Sequence, residues 1–246
     1  MTMTTPFVIL PAIDLRGGRV VRLRQGDFER ETTYDDEPSV VAERFADAGA
    51  QWLHVVDLEG ARSGIPAHGS AIATIIATVG DRATIEVAGG LRDDASVSAI
   101  LESGAGRAVV GTAALQDSAF TGRLVDAHGA DRIAVAIDVR DGLAVGHGWS
   151  PGAAGTDAGD AIRRLADVGV VTFEVTAIER DGLLEGPNLA LYQRLVRLGL
   201  GQIIASGGIA TLGDLAAVRE LGATGAIIGR ALYEQRLLLS DVLGFC

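Results

Sequence analysis

Two carboxylates stand at matched places in the two halves of the chain, and they are the residues with the clearest chemical promise. Asp14 closes the run in Ala12-Ile13-Asp14-Leu15-Arg16, and Asp138 closes the run in Ala136-Ile137-Asp138-Val139-Arg140, 124 residues later. Each follows a short apolar segment of strand character, which places it at a strand end. Two carboxyls in a partly desolvated mouth can divide proton transfer between them. Burial raises one until it serves as an acid, while the other stays ionised and serves as a base. Taken singly, a strand-end Asp can equally cap the loop that follows. A third candidate, Asp181, lies in Thr176-Ala177-Ile178-Glu179-Arg180-Asp181-Gly182, where Asp-Gly is also a common turn. Thr176 offers a hydroxyl to a substrate oxygen, or serves only as a β-former.

Beside these acids one motif occurs twice. Ala88-Gly89-Gly90 followed by Gly111-Thr112 returns, 118 residues on, as Ser206-Gly207-Gly208 followed by Gly229-Arg230. Glu102-Ser103-Gly104-Ala105 returns as Glu220-Leu221-Gly222-Ala223 in the same register. Each Gly-Gly pair follows a short run, Ile85-Glu86-Val87 or Ile203-Ile204-Ala205, and precedes an amphipathic stretch. In that strand–loop–helix setting, glycine lets backbone N–H groups approach a phosphate. One Gly-Gly is usually a tight turn; two in fixed register point to two phosphate sites on a duplicated scaffold.

The elements that must carry these residues alternate along the chain. Eight apolar strands are expected: 7–14, 52–57, 83–87, 107–110, 133–138, 171–176, 201–205 and 225–228. Amphipathic helices follow them, near 39–48, 69–79, 93–103, 117–128, 157–168, 188–198 and 212–221, with a last one starting near Ala231. The pattern calls for a parallel sheet covered by helices, and eight repeats in this length favour a closed (β/α)8 TIM barrel. It forms one domain over 1–246, with half-barrels of about 1–130 and 131–246. Strands one and five are opposite, so Asp14 and Asp138 should face each other across the mouth. Gly17–Arg24 reads as a small hairpin excursion. The glycine-rich stretch Arg140–Thr156 suits a mobile segment closing over a ligand, or a long solvated loop. Trp149 within it could stack on a planar ligand or simply pack the loop.

The bulk properties exclude other classes. The 246 residues are 48% hydrophobic with a net charge of −11, which argues against non-specific nucleic-acid binding. Phosphates must then be held by local dipoles and a few arginines. No apolar run approaches bilayer length, and no basic leader precedes one, so a cytoplasmic protein is expected. The one cysteine, Cys246, allows neither an intrachain disulfide nor a cysteine metal cluster. His54, His68, His128 and His147 show no ligand spacing, and no carboxylates cluster with them, so no metal site is expected. Neither a nucleophile elbow nor a Walker-type loop is present. What remains is acid–base work on a doubly phosphorylated small molecule. A monomer is expected, because the repeat closes within one chain.

The residues resemble the histidine-pathway phosphoribosyl isomerases. The resemblance rests on Leu10-Pro11-Ala12-Ile13-Asp14-Leu15, Gly18 through Gly26, Gly89-Gly90-Leu91-Arg92 and Gly111-Thr112-Ala113. It continues through Gly148-Trp149, Arg180-Asp181-Gly182, Gly186-Pro187-Asn188 and Ala205-Ser206-Gly207-Gly208. The ending Gly229-Arg230-Ala231-Leu232-Tyr233 is similar to the actinobacterial phosphoribosyl isomerase A group. Members of that group isomerise both the histidine intermediate ProFAR and the tryptophan intermediate phosphoribosylanthranilate. The resemblance implies an Amadori rearrangement of aminoaldose to aminoketose without cofactor. Asp14 would be the base removing the C2 proton, Asp138 the acid opening the ribose ring, and Asp181 an acid in the dual-substrate group. Thr176 would bind ribose hydroxyls, Arg22 a carboxylate or phosphate, and Trp149 the aromatic part.

Three positions depart from the family pattern. His147 stands where the dual-substrate enzymes usually carry arginine, and is a weaker carboxylate clamp. Ala177 replaces an aspartate after the strand-six threonine, and Ala88 replaces Ser or Gly before the first Gly-Gly. Two other readings share the features: the cyclase of imidazole glycerol phosphate synthase, and a non-catalytic sugar-phosphate-binding barrel.

Overall fold

The structure is a computed structural model, and it describes residues 6–35, 37–146, 149 and 155–245. Eight barrel strands are numbered here β1 (Val8–Arg16), β2 (Trp52–Asp57), β3 (Thr84–Ala88), β4 (Arg107–Val110), β5 (Ile133–Arg140), β6 (Thr172–Ala177), β7 (Gln202–Ser206) and β8 (Gly225–Ile228). Each pairs in parallel with the next, and β8 returns to β1 through the register Val8↔Gly225 to Pro11↔Ile228. The sheet is therefore a closed (β/α)8 barrel, and closure leaves no edge on the barrel itself.

Helices cover the outside. Val41 and Phe45 of Pro38–Asp47 and Ile72 and Ile75 of Gly69–Val79 pack with Leu53 and Val55 of β2. On the other side Leu124 and Ile162 pack with Ile133, Val135 and Ile137 of β5. Each such side chain stabilises the fold by about 1.5–3 kcal/mol. The duplication extends to helix starts. Asp93 and Thr211, again 118 residues apart, each close a capping box, on Ser96 and Asp214 respectively.

The period of two along the strands turns alternate residues inward. Ala12 and Asp14 of β1, His54 and Val56 of β2, Ala136 and Asp138 of β5, and Glu174 and Thr176 of β6 all line one central cavity. Asp14 and Asp138 do not end their strands, as the sequence had suggested. Each strand runs two residues further and folds back as a hairpin, pairing Asp14 with Val21 and Asp138 with Val145. The first hairpin is longer than expected, with Arg19–Arg24 continuing into Asp27–Asp35. Short helices at Leu58–Ser63 and Thr112–Gln116 went unread because one turn is too short to show a helical period. The helix expected near Ala231 lasts only from Arg230 to Tyr233, and Leu239–Leu243 closes the order. Among the described residues, no helix is long and apolar enough to cross a membrane.

Candidate active site

A cavity of about 240 Å³ opens at the C-terminal ends of the barrel strands. Asp14, Asp138, Asp181, Thr176, Arg22 and Trp149 all line it. So does every residue of the repeated motif: Gly89, Gly90, Gly111 and Thr112, and Ser206, Gly207, Gly208, Gly229 and Arg230. His147 lies outside the described residues.

The glycine pairs adopt matching backbones, with φ of 106° and 77° at Gly89 and Gly90 and 96° and 85° at Gly207 and Gly208. A Cβ on Gly89 would lie 2.1 Å from the Asp57 carbonyl oxygen, and one on Gly207 would lie 2.8 Å from that of Ala177. Left-handed φ and this close approach both demand glycine. The two halves differ beneath these turns. Asp57 accepts from the N–H groups of Gly60 (2.7 Å), Ala67 (2.5 Å) and His68 (2.9 Å), tying its loop to one carboxylate. Ala177 has only its carbonyl, which accepts from Arg180 and Asp181.

Arg22 reaches Asp14 from the neighbouring hairpin strand, with Nη1 2.7 Å from Oδ2, and its Nη2 donates to the Ala12 carbonyl. Its guanidinium lies 5.2 Å from the centre of the Tyr233 ring and presses on Gly229, where a Cβ would come within 2.6 Å. Burial alone would lower its pKa, but Asp14, Tyr233 and Asp181 together hold it above the usual value. Arg22 is therefore a fixed cation bound to Asp14 at the second glycine turn. Arg230 is likewise engaged, through Nε to Glu234 at 2.5 Å and through Nη1 to the Gly182 carbonyl. The charge of Arg230 is thus held by Glu234 and the Gly182 carbonyl.

The three acids differ in environment. Burial pushes Asp138 up, against the pull of hydrogen bonds from the Trp149 indole N–H and the Thr176 hydroxyl. Burial also raises Asp181, the charges of Asp14 and Asp138 add to this, Arg22 opposes it, and the result is about 7. A carboxyl of that pKa both gives and takes a proton at neutral pH. Trp149 holds a left-handed φ of 66°, and its ring rests on Gly26, where a Cβ would come within 2.4 Å. The indole is thus tied to Asp138 as well as exposed to the cavity.

The expectation that no carboxylates gather around the histidines is corrected by the fold. Below the acids, His54 Nδ1 lies 2.6 Å from Glu86 Oε1 and 3.6 Å from Glu174 Oε2. Arg107 binds the other oxygen of Glu86 through Nε (2.9 Å) and Nη2, and lies 4.3 Å over the Trp52 ring. Near the rim, His68 bridges Asp57 and Glu59, each at 2.9 Å, while Gly17 and Gly18 N–H groups donate to Glu59 and His68. That second group clasps the hairpin to the loop after β2. Each group could in principle hold a cation. In the first, Arg107 already neutralises Glu86; in the second, backbone N–H groups occupy Asp57. Single charged residues within apolar strands, sharing the inward parity of Asp14 and Thr176, were the available signal for the first group.

Acids gathered at the C-terminal mouth of a closed parallel barrel, between two glycine turns, define a (β/α)8 barrel enzyme. The chain belongs to the histidine biosynthesis protein family, whose model matches residues 8–237. Three relatives share the name 1-(5-phosphoribosyl)-5-((5-phosphoribosylamino)methylideneamino) imidazole-4-carboxamide isomerase. That of Roseiflexus sp. (strain RS-1) is 48% identical over 235 residues, covering 96% of this chain and 98% of the relative. That of Thermomicrobium roseum is 45% identical over 231 residues, covering 94% and 93%. That of Brevibacillus brevis is 40% identical over 240 residues, covering 96% and 95%.

Proposed function

We propose that this chain isomerises the compound in its relatives' name, ProFAR, in the cytoplasm as a step of histidine biosynthesis, by aspartate acid–base catalysis without a cofactor. The observation that carries this reading is the meeting of Asp14, Asp138 and Asp181 in one cavity flanked by both glycine turns. ProFAR carries two phosphoribosyl groups, one for each turn. Gly89, Gly90, Gly111 and Thr112 hold one phosphate; Ser206, Gly207, Gly208, Gly229 and the backbone of Arg230 hold the other.

Asp138, raised by burial, protonates the ring oxygen as the C1–O bond breaks, and the nitrogen lone pair forms the C1=N iminium. Asp14 takes the C2 proton, and that electron pair forms the C1=C2 bond of an enolamine. Protonation at C1 with loss of the enol proton gives the aminoketose, so atoms and charge balance. Arg22 keeps Asp14 in place, and Thr176 orients Asp138 and the ribose hydroxyls. Asp181, next to Asp14 in charge and near-neutral in pKa, returns protons to the site. That property also favours a second reading, in which phosphoribosylanthranilate is a further substrate. Its single phosphate would use one turn, and its ring would meet Trp149.

Parallel steady-state kinetics with both purified substrates test the proposal. Turnover of ProFAR is expected; no turnover of either compound would reject it. Turnover of ProFAR alone would remove the second reading. Replacing His147 by Arg is expected to shift the ratio of the two kcat/KM values toward phosphoribosylanthranilate.

A further inference from the structure

Glu174 is the cavity-lining acid that the mechanism above leaves without a task. It sits on β6 two residues before Thr176, and hence about 6–7 Å deeper in the barrel. Its flanking neighbours at that level are Ala136 on β5 and Ile204 on β7, neither of which can bond to it. Its charged company comes from across the barrel: His54 on β2, Glu86 on β3 and Arg107 on β4. Oε2 faces His54 at 3.6 Å, and the carboxyl shares a hydrogen bond with Glu86. Oε1 is buried and has no hydrogen-bond partner among the described residues, and the residue, 2% exposed, lines the cavity.

An oxygen left so is costly unless something else satisfies it. A cation is a poor occupant. The imidazole of His54 and the guanidinium of Arg107 already supply positive charge to the two carboxyls, and Glu86 has both oxygens bonded. A hydrogen-bond donor suits it better. Burial and the charge of Glu86 favour the protonated form of Glu174, with its proton shared toward Glu86, leaving Oε1 as an acceptor. The small side chains Ala12 and Ala136 at this depth leave room below Asp14 and Asp138.

We propose that Glu174 is a substrate-contacting residue whose Oε1 accepts a hydrogen from a hydroxyl of the sugar as it opens between Asp14 and Asp138. The inference rests on the isomerase reading above and adds to it a floor that recognises the open-chain polyol. A donor placed there meets a buried acceptor that is otherwise unsatisfied, so the bond discriminates more strongly than one at the rim.

The test compares Glu174→Met, near-isosteric and apolar, with Glu174→Gln, which keeps an acceptor oxygen and replaces the shared proton by an amide donor. Glu174→Met also removes the Oε2 contact with His54 and the hydrogen bond shared with Glu86, so far-UV circular dichroism and thermal unfolding of both variants check that they fold. With ProFAR as substrate, Glu174→Met is expected to lower kcat/KM by about 10- to 100-fold, as loss of a buried hydrogen bond would. Glu174→Gln is expected to stay within about threefold of wild type, since its acceptor survives. An unchanged kcat/KM in Glu174→Met, or equal damage from both variants, would overturn the contact. If Glu174→Met does not fold, the Gln variant decides alone: retained activity supports the contact and loss beyond about tenfold rejects it. Asp14→Asn run alongside separates the two claims. Absence of ProFAR turnover in the wild-type protein defeats the isomerase reading, whereas an active wild type with an inactive Asp14→Asn beside an undamaged Glu174→Met defeats only the floor contact.

Discussion

Asp181→Asn should cost activity and add stability. The native carboxyl is raised from 3.8 to about 7 by burial and by the charges of Asp14 and Asp138. Between those values the native state binds a proton that the unfolded chain does not, so stability falls as pH rises through that window. A shift of roughly three units at about 1.4 kcal/mol each gives an upper bound on the order of 4 kcal/mol. Screening by water at the cavity mouth reduces this by up to about half, so on the order of 2–4 kcal/mol is destabilisation that a neutral, similar-sized amide removes. At about 2–4 °C per kcal/mol for a chain of this size, Tm should rise by about 4–16 °C at pH 8. At pH 5 the native carboxyl is already protonated, and the gain should shrink to less than half. The assay is thermal unfolding of both proteins at pH 5 and pH 8, with ProFAR kinetics alongside. Loss of a proton carrier should lower kcat by about 10²- to 10⁴-fold. An unchanged or lower Tm at both pH values would refute the claim that its neighbours press Asp181 into the protonated form.

Two further outcomes follow from the packing. Arg107→Leu leaves Glu86 buried without its guanidinium, so unfolding free energy in urea should drop by about 3–5 kcal/mol, and Glu86→Gln in the same chain should recover part of it. Gly89→Ala places a Cβ against the Asp57 carbonyl at a left-handed φ, and is expected to lower Tm by several degrees and to weaken ProFAR binding through the first turn; wild-type values for both would show that the turn tolerates a side chain.

The barrel was legible because its strands are short apolar runs separated by amphipathic helices, and because the glycine register repeats. Strand boundaries such as Arg107–Val110 and Gly225–Ile228 follow directly from those runs. The mouth residues were legible because Asp14, Asp138 and Thr176 are the polar residues late in an apolar run, although each strand continues past them, for Asp14 and Asp138 into a hairpin. What stayed hidden depends on long-range register. Nothing local to Ile85-Glu86-Val87 says that Glu86 meets His54 and Arg107; that follows only once β2, β3 and β4 are placed side by side. The partner of Arg22 is set by hairpin pairing, which puts Val21 opposite Asp14 and so brings Arg22 to it. Arg230 looked like a phosphate ligand by motif, but Glu234 one helical turn away captures its charge.

The account depends on Asp14 as the group that removes a proton in a cavity that holds the substrate independently of it. The most direct measurement is kcat for ProFAR with Asp14→Asn, together with the affinity of the variant for the aminoketose product. The account predicts a fall in kcat of about 10³-fold or more with product binding within about tenfold of wild type. A variant that turns over ProFAR at a rate close to wild type would contradict it.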